Sequence, residues 1–302
     1  YAWMGEHGNI ANALTAKSYN IYSLFIIIST AGIPGAVAKQ VAQYNAMNEY
    51  GVGKKLFKNG LALMAVLGLL SAGIMYFLAP VLSGGDSRQV PVLQSLAVAV
   101  LIIPVMSLLR GFFQGYNDMA PSALSQLVEQ LARVIWMLAT AFLIMKVGNG
   151  NYLAAVVQSN FAAAIGALFG ISLLVYVYLR RRKEINQLVL QSNQDVEVST
   201  KSLLLEIVQQ SIPFIIIDSG ITFFQLIDQY TFHTFIRGFV SASYDQIESW
   251  YALFGLNANK LIMIVISLAT AMAVTAIPLL AGAHAQRNTR DIRKQIENTL
   301  EL

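Results

Sequence analysis

The chain has 302 residues, 56% of them hydrophobic and only 12% charged. Soluble domains carry about 25% charged residues, so this composition excludes an ordinary soluble domain and predicts a membrane protein. The net charge is +4 and cysteine is absent, which rules out disulfides and thiolate metal sites.

In chain order, the sequence opens on YAWMGEHG, without an initiator Met, a basic leader or a cleavage pattern. It closes on a basic amphipathic segment, 287–302. Both ends are expected to continue into further helices of a longer protein. Seven membrane helices are predicted. Runs 59–85, 89–109, 147–179 and 261–283 contain no charged side chain. Each meets the requirement of about 20 residues per span. Segments 19–46, 121–145 and 207–236 are apolar but interrupted.

Lysine and arginine placement sets the orientation. Assigning loops alternately to two sides gives thirteen basic residues on one: Lys54, Lys55, Lys58, Arg110, Arg180, Arg181, Arg182, Lys183, Lys201, Arg287, Arg290, Arg293 and Lys294. The other side collects Lys17, Arg88, Lys146 and Arg237. The richer side is expected in the cytoplasm, with residues 1–17 outside. Basic residues confined to short loops beside spans do not suggest a nucleic-acid partner.

The segment 108–138, LLRGFFQGYNDMAPSALSQLVEQLARVIWML, carries the strongest signal. Ser122, Ser125, Gln126, Glu129, Gln130 and Arg133 fall within an arc of about 140° on a helix. A carboxylate and a guanidinium one turn apart are costly against lipid, so this face is expected to line a water-filled interior. Glu129 and Arg133 also have the acid-first i, i+4 spacing of a structural pair, so packing, substrate contact and a conformational latch all stay open. Arg110, Gln114 and Asp118 read as turn and gate residues near the cytoplasmic face. Pro121 suits a first helical turn, and Gly111 and Gly115 suit close approach, so the corner reads as a hinge.

In 207–236, Asp218, Thr222, Gln225 and Gln229 share a face with Asp228 adjacent, and Pro213 should bend the helix start. Intramembrane carboxylates are candidate coupling groups for a proton or Na⁺. His233 reads as interfacial rather than as a relay. Lys39 follows Pro34 by just over a turn and either snorkels to the cytoplasmic surface or faces a cavity. Gly32 and Gly35 suit tight packing or a kink. Lys260, in NANKLIM, is either an outer snorkelling lysine or a cavity cation. Residues 31–58 and 275–294 echo one another, each with Ile-Pro near a cytoplasmic helix end, their prolines 244 residues apart. Such a parallel repeat would give two similar halves with a cleft between them.

The combination of Arg110, Gly111, Phe113, Gln114, Gly115, Pro121, Ser125, Gln126, Glu129, Gln130 and Arg133 resembles the MurJ-like lipid-linked oligosaccharide flippases of Gram-positive bacteria. These belong to the multidrug/oligosaccharidyl-lipid/polysaccharide exporter superfamily. AGIPGAVAKQVA is similar to that family's second helix, FFQLIDQYTF to its seventh and NANKLIMIVISLATAMAVTAIP to its eighth. Near Phe25 the chain is apolar where proteobacterial relatives carry arginine.

The resemblance implies an all-α polytopic membrane bundle with two pseudo-symmetric lobes, covering helices two to eight of fourteen. Residues 1–183 would form the first lobe, 184–201 a cytoplasmic linker and 202–302 the start of the second. It implies a flippase carrying an undecaprenyl-pyrophosphate-linked precursor, lipid II first, across the bacterial cell membrane by alternating access. Lys260, Arg133, Glu129, Gln126 and Lys39 would meet substrate. Asp228, Asp218, Arg110 and Gln114 would couple or gate. No cofactor is expected beyond Na⁺, H⁺ or the membrane potential, and cell-wall synthesis enzymes are candidate partners.

No nucleotide-binding, zinc-protease or hydrolase motif is present, so an enzyme is not expected. The rivals are an exporter of another lipid-linked glycan or teichoic-acid precursor, and a multidrug or cation antiporter of the same superfamily. Acid-dominated cavity walls would favour the antiporter. A scaffold for cell-wall enzymes would need no buried charge.

Overall fold

The computed structural model describes residues 2–30, 32–193, 199–258, 261–262 and 264–266. Among them the fold is all-α, with nine α-helices. Helix α1 spans Gly8–Thr30 and α2 spans Ile33–Ala46. Between them Gly32 adopts a left-handed backbone, φ 73° and ψ −13°. That geometry favours glycine, and Pro34 then occupies the first turn of α2, where its missing N–H costs nothing. Ser29 and Thr30 donate back to the Phe25 and Ile26 carbonyls at 2.8 and 2.7 Å, satisfying acceptors at the break.

This corrects the expected first span. The helix begins at Gly8, not near residue 19, and residues 8–17 are helical rather than an outer loop. Lys17 lies inside it and is buried. The reason is tertiary. Glu248 neutralises the lysine from 231 positions away, which no local hydrophobic pattern can reveal.

Helix α3 covers Tyr50–Phe77, α4 is one turn at Ala79–Leu82, α5 covers Gln89–Gly115 and α6 covers Ala120–Phe142. Pro121 opens α6 in its first turn, as its sequence position predicts. The last turn of α6 widens into a π-helical stretch, Leu143–Val147. Helix α7 runs through Tyr152–Leu190, with the Asn151 side chain accepting from the Ala154 amide at 3.1 Å. Helix α8, Thr200–Phe239, bends by 44° between Lys201–Pro213 and Ile215–Phe239, as Pro213 predicts. Helix α9, Tyr244–Ala252, starts on a reciprocal Ser243–Gln246 capping box.

Five helical stretches are long and apolar enough to span a bilayer, and the bent α8 brings the number to six. Of the seventh expected span, 261–283, only residues 261–262 and 264–266 are described, and these are helical. The second half of the long-range echo, 275–294, lies outside the described residues.

Helix α5 sits at the centre, packed by α1, α2, α3 and α7. Phe112 on α5 meets Phe57 on α3 with ring centroids 4.2 Å apart. Gly111 and Gly115 let α2 approach. A β-carbon on Gly111 would lie 2.6 Å from the Pro34 carbonyl oxygen, and one on Gly115 would lie 2.5 Å from Val41 Cβ. On the other side, α7 packs on α6 through Gly166 and on α5 through Gly170, where a β-carbon would stand 2.7 Å from the Glu129 carbonyl oxygen and 2.9 Å from the Met106 sulfur. Small residues four apart allow such contact in membrane bundles.

Candidate functional site

The α5–α6 corner is held by side chains from the polar face of α6 together with Arg110 and Gln114 of α5. Arg110 donates from Nε to Ser125 Oγ at 2.8 Å and from Nη2 to Glu129 Oε2 at 2.8 Å. Arg133 reaches Glu129 Oε1 at 3.3 Å. Gln114 donates to Ser122 Oγ at 2.9 Å, and Ser125 donates to the Ser122 carbonyl at 2.7 Å. Ser122, Ser125 and Glu129 are buried. The carboxylate thus bridges two guanidiniums, and the cluster keeps one excess positive charge.

The polar face is split. Ser122, Ser125, Glu129 and Arg133 turn toward the bundle, whereas Gln126 and Gln130 are exposed. In this conformation the inner part is a packed ion-paired network rather than an open wall. Spacing located the face but not Arg110, which comes from the preceding helix. The buried Arg133 Nε has no hydrogen-bond partner among the described residues.

The other sequence candidates lie apart. Lys39 is exposed on α2. Asp218 and Asp228 are exposed on α8, whereas their neighbours Ser219, Thr222 and Gln229 are buried. Asp228 lines a cavity of about 120 Å³ with Asn20, Gln225, Tyr251, Phe254 and Ile262. This cavity lies where α1 and α8 meet the stretch after α9. Lys260 lies outside the described residues. Among the described residues no group of three or more His, Asp or Glu side chains is placed to hold a metal.

A second cluster went unseen in the sequence. Lys17 of α1 pairs with Glu248 of α9, and the same Glu248 Oε1 meets His233 Nε2 of α8 at 2.6 Å. His233, expected at an interface, therefore touches a buried carboxylate. Asn20 donates to Gln229 Oε1 and Tyr251 Oη, each at 3.1 Å. Tyr230 donates to the Leu82 carbonyl at 2.6 Å. Nearby, Arg88 holds Asp86 through Nε at 3.0 Å and reaches Asp245 at 3.2 Å. Burial pushes the Asp86 carboxyl up, but the Arg88 hydrogen bonds and charge outweigh it and leave its pKa lowered. Burial first, then the Glu248 charge, raises the Tyr244 phenol. The available signals were a lysine early in an apolar segment and the Ser243–Gln246 cap announcing α9. Neither says that the two meet.

Long apolar helices around a buried ionic network define a multi-pass cell-membrane protein. The chain belongs to the family described as polysaccharide biosynthesis protein, whose model matches residues 8–284. It is 35% identical to the lipid II flippase MurJ of Bacillus subtilis, over 97% of this chain and 56% of that protein. It is 26% identical to the B. subtilis membrane protein YabM over 98% of the chain and 54% of that protein. It is 27% identical to the B. subtilis stage V sporulation protein B, over 61% of the chain and 35% of that protein. The chain thus spans about half the length of the first two of these relatives. One solved structure, the inward-facing conformation of a multidrug resistance MATE family transporter of the MOP superfamily, shares the fold. Its TM-score is 0.66 at 14% identity, covering 97% of this chain and 66% of that one.

Proposed function

We propose that the chain is the core of a flippase that moves an undecaprenyl-pyrophosphate-linked cell-wall precursor, with lipid II as the substrate, from the inner to the outer leaflet. The observation that carries this reading is 35% identity with a lipid II flippase along 97% of the chain. The interior chemistry supports it. A disaccharide-peptide pyrophosphate cannot cross hydrocarbon unaided, so its carrier needs hydrogen-bonding groups and cations inside the bundle.

In this reading Arg133 is the mobile cation. Its bond to Glu129 is long, at 3.3 Å, and Arg110 still neutralises the carboxylate at 2.8 Å when Arg133 turns to a phosphate. Arginine suits that role through its forked donors. Lys260 adds a second charge and Gln126, Lys39 and the Asn20–Gln225 region hydrogen-bond the headgroup, while the polyprenyl tail stays in lipid. Arg110 and Gln114 gate, and Asp228, with Asp218, couples the cycle to Na⁺ or H⁺. The membrane potential adds drive, because each negative charge moved outward gains about 2.3 kcal/mol per 100 mV. The cycle is alternating access between an inward-open and an outward-open form.

Depletion of the full-length protein tests the substrate. Lipid II is expected to accumulate in the inner leaflet. Unchanged lipid II with accumulation of another lipid-linked glycan would reassign the cargo, and accumulation of neither would sink the reading. A multidrug or cation antiporter is the second reading, favoured by Asp228 in the cavity wall. Asp228→Asn discriminates. Loss of organic-cation efflux with precursor flipping intact would favour the antiporter.

A further inference from the structure

Four sets of polar contacts join α1 and the α4–α5 corner to α8 and α9 at one end of the bundle. They are Lys17 with Glu248, Asn20 with Gln229 and Tyr251, Tyr230 with the Leu82 carbonyl, and Arg88 with Asp245. The distribution of basic residues assigns this end to the outside. The Lys17 and Glu248 side chains are 7% and 1% exposed. The Arg88 and Asp245 side chains are 26% and 59% exposed. An exposed pair is screened and contributes little. A buried pair that loses one partner leaves an uncompensated charge behind.

We propose that Lys17 and Glu248 form the latch that holds the outer end closed, with His233 keeping the Glu248 carboxylate in register. The proposal rests on the alternating-access reading above.

The pair suits a joint that must open. A buried ion pair gains little over two hydrated ions. When the helices part and water enters, both charges recover hydration, so the latch fixes alignment without locking the closed form. The carboxylate is positioned from three elements. Oε1 takes both the Lys17 ammonium and His233 Nε2. For His233 to donate there, Nε2 carries the proton. Nδ1 is then the bare nitrogen, and it is buried with no partner among the described residues, as is Glu248 Oε2. A neutral imidazole is the form that avoids an unpaired buried N–H. The cluster is then balanced, with one positive and one negative charge.

Aromatic rings complete the socket. Lys17 Nζ lies 5.4 Å from the Tyr251 ring and 6.0 Å from the Tyr244 ring. His233 stacks on Tyr244 at 4.4 Å. Arg88 and Arg237 stand 5.7 and 5.9 Å from the same Tyr244 ring. Several cations therefore crowd this end. Loss of Glu248 would leave Lys17 among them without a carboxylate partner.

The test uses the full-length protein with spin labels on cysteines at Val81 and Phe239. Both positions are well exposed at this end, in α4 and at the end of α8. Distances between them are read by pulsed electron paramagnetic resonance. Lys17→Met and Glu248→Gln are each expected to raise the ratio of the long-distance to the short-distance form by about a hundred-fold. The reversed pair, Lys17→Glu with Glu248→Lys, is expected to return the distribution toward the short form. Wild-type distances in both folded single variants overturn the latch. Should a single variant not fold, His233→Ala keeps both charges and is expected to shift the distribution in the same direction by less, and no shift overturns the latch. Flipping is not part of this readout. Unchanged distances therefore leave the flippase reading standing, and a failed depletion experiment leaves the latch measurable.

Discussion

At the scale of single residues, Glu129 does the most. It joins Arg110 of α5 to Arg133 of its own helix, so its removal would leave two guanidiniums facing one another in a buried site. Glu129→Gln is expected to cost about 3–5 kcal/mol, the range for breaking a buried pair, read as a lower thermal unfolding midpoint of the purified protein. Arg110→Lys should recover little, because one ammonium cannot reproduce the fork that serves Ser125 and Glu129 together. Asp86 offers a test by pH. Its pKa is lowered in the folded protein, so its contribution is present above the ordinary carboxylate range and is lost as pH falls through the folded value. The stability difference between wild type and Asp86→Asn should therefore shrink as pH drops below about 4. A difference constant across pH would refute the Arg88 contribution. The polar stripe was legible because helical spacing puts its members on one face. Its division into a buried part and an exposed part was not, since that depends on where α5 and α7 lie.

At the scale of elements, the bundle is held by close backbone approaches. Gly115→Ala forces a β-carbon to within 2.5 Å of Val41, on a neighbouring helix with its own branched side chain. Overpacking of this kind costs about 1–3 kcal/mol. Gly35 has nothing within 4 Å of where its β-carbon would stand. Gly35→Ala should therefore fold at wild-type yield while Gly115→Ala loses thermal stability, and equal behaviour would mean that the α2–α5 contact is not tight. At the α5–α6 corner Pro121 was readable because it imposes a local backbone rule, and Gly111 and Gly115 because small residues four apart admit a neighbouring helix. Pro213 was readable for the same reason as Pro121, and α8 bends there. The start of α1 was not. Lys17 reads as part of an outer segment before the first span, and a helix that buries a lysine is recognisable only when its distant carboxylate is known.

At the scale of the whole molecule, one end gathers Lys17, Arg88 and Arg237 around Tyr244. The other carries Lys54 bonded to Asn186 at 2.8 Å and Arg181 paired with Asp118. This separation of ends is what the count of basic loop residues implies. A cysteine at the exposed Asn193 should react with a thiol reagent only after the membrane is permeabilised. Labelling in intact cells would invert the orientation, and the absence of native cysteine keeps the background of this chain clean. The family and the all-α membrane class were legible from composition and from the 110–133 pattern. The pairing of distant charges was not, because charge partners brought together by folding leave no periodic trace.

Helix α7 has 39 residues, about 58 Å of rod against a hydrocarbon layer of about 30 Å. Nearly half of it must project beyond the core, and by the positive-inside rule the basic residues from Arg180 onward are expected to put that projection on the cytoplasmic side. It is therefore a lever arm. A tilt of about 15° around the bilayer centre, the scale of known subunit rotations, would sweep its tip sideways by about 10 Å. The tip is tied to the α2–α3 turn, where the Asn193 amide donates to the Asn48 carbonyl at 2.9 Å. Any rocking deep in the membrane must either carry that turn along or break the tie. Small rotations inside the bundle would then appear as large displacements at the far end of this rod.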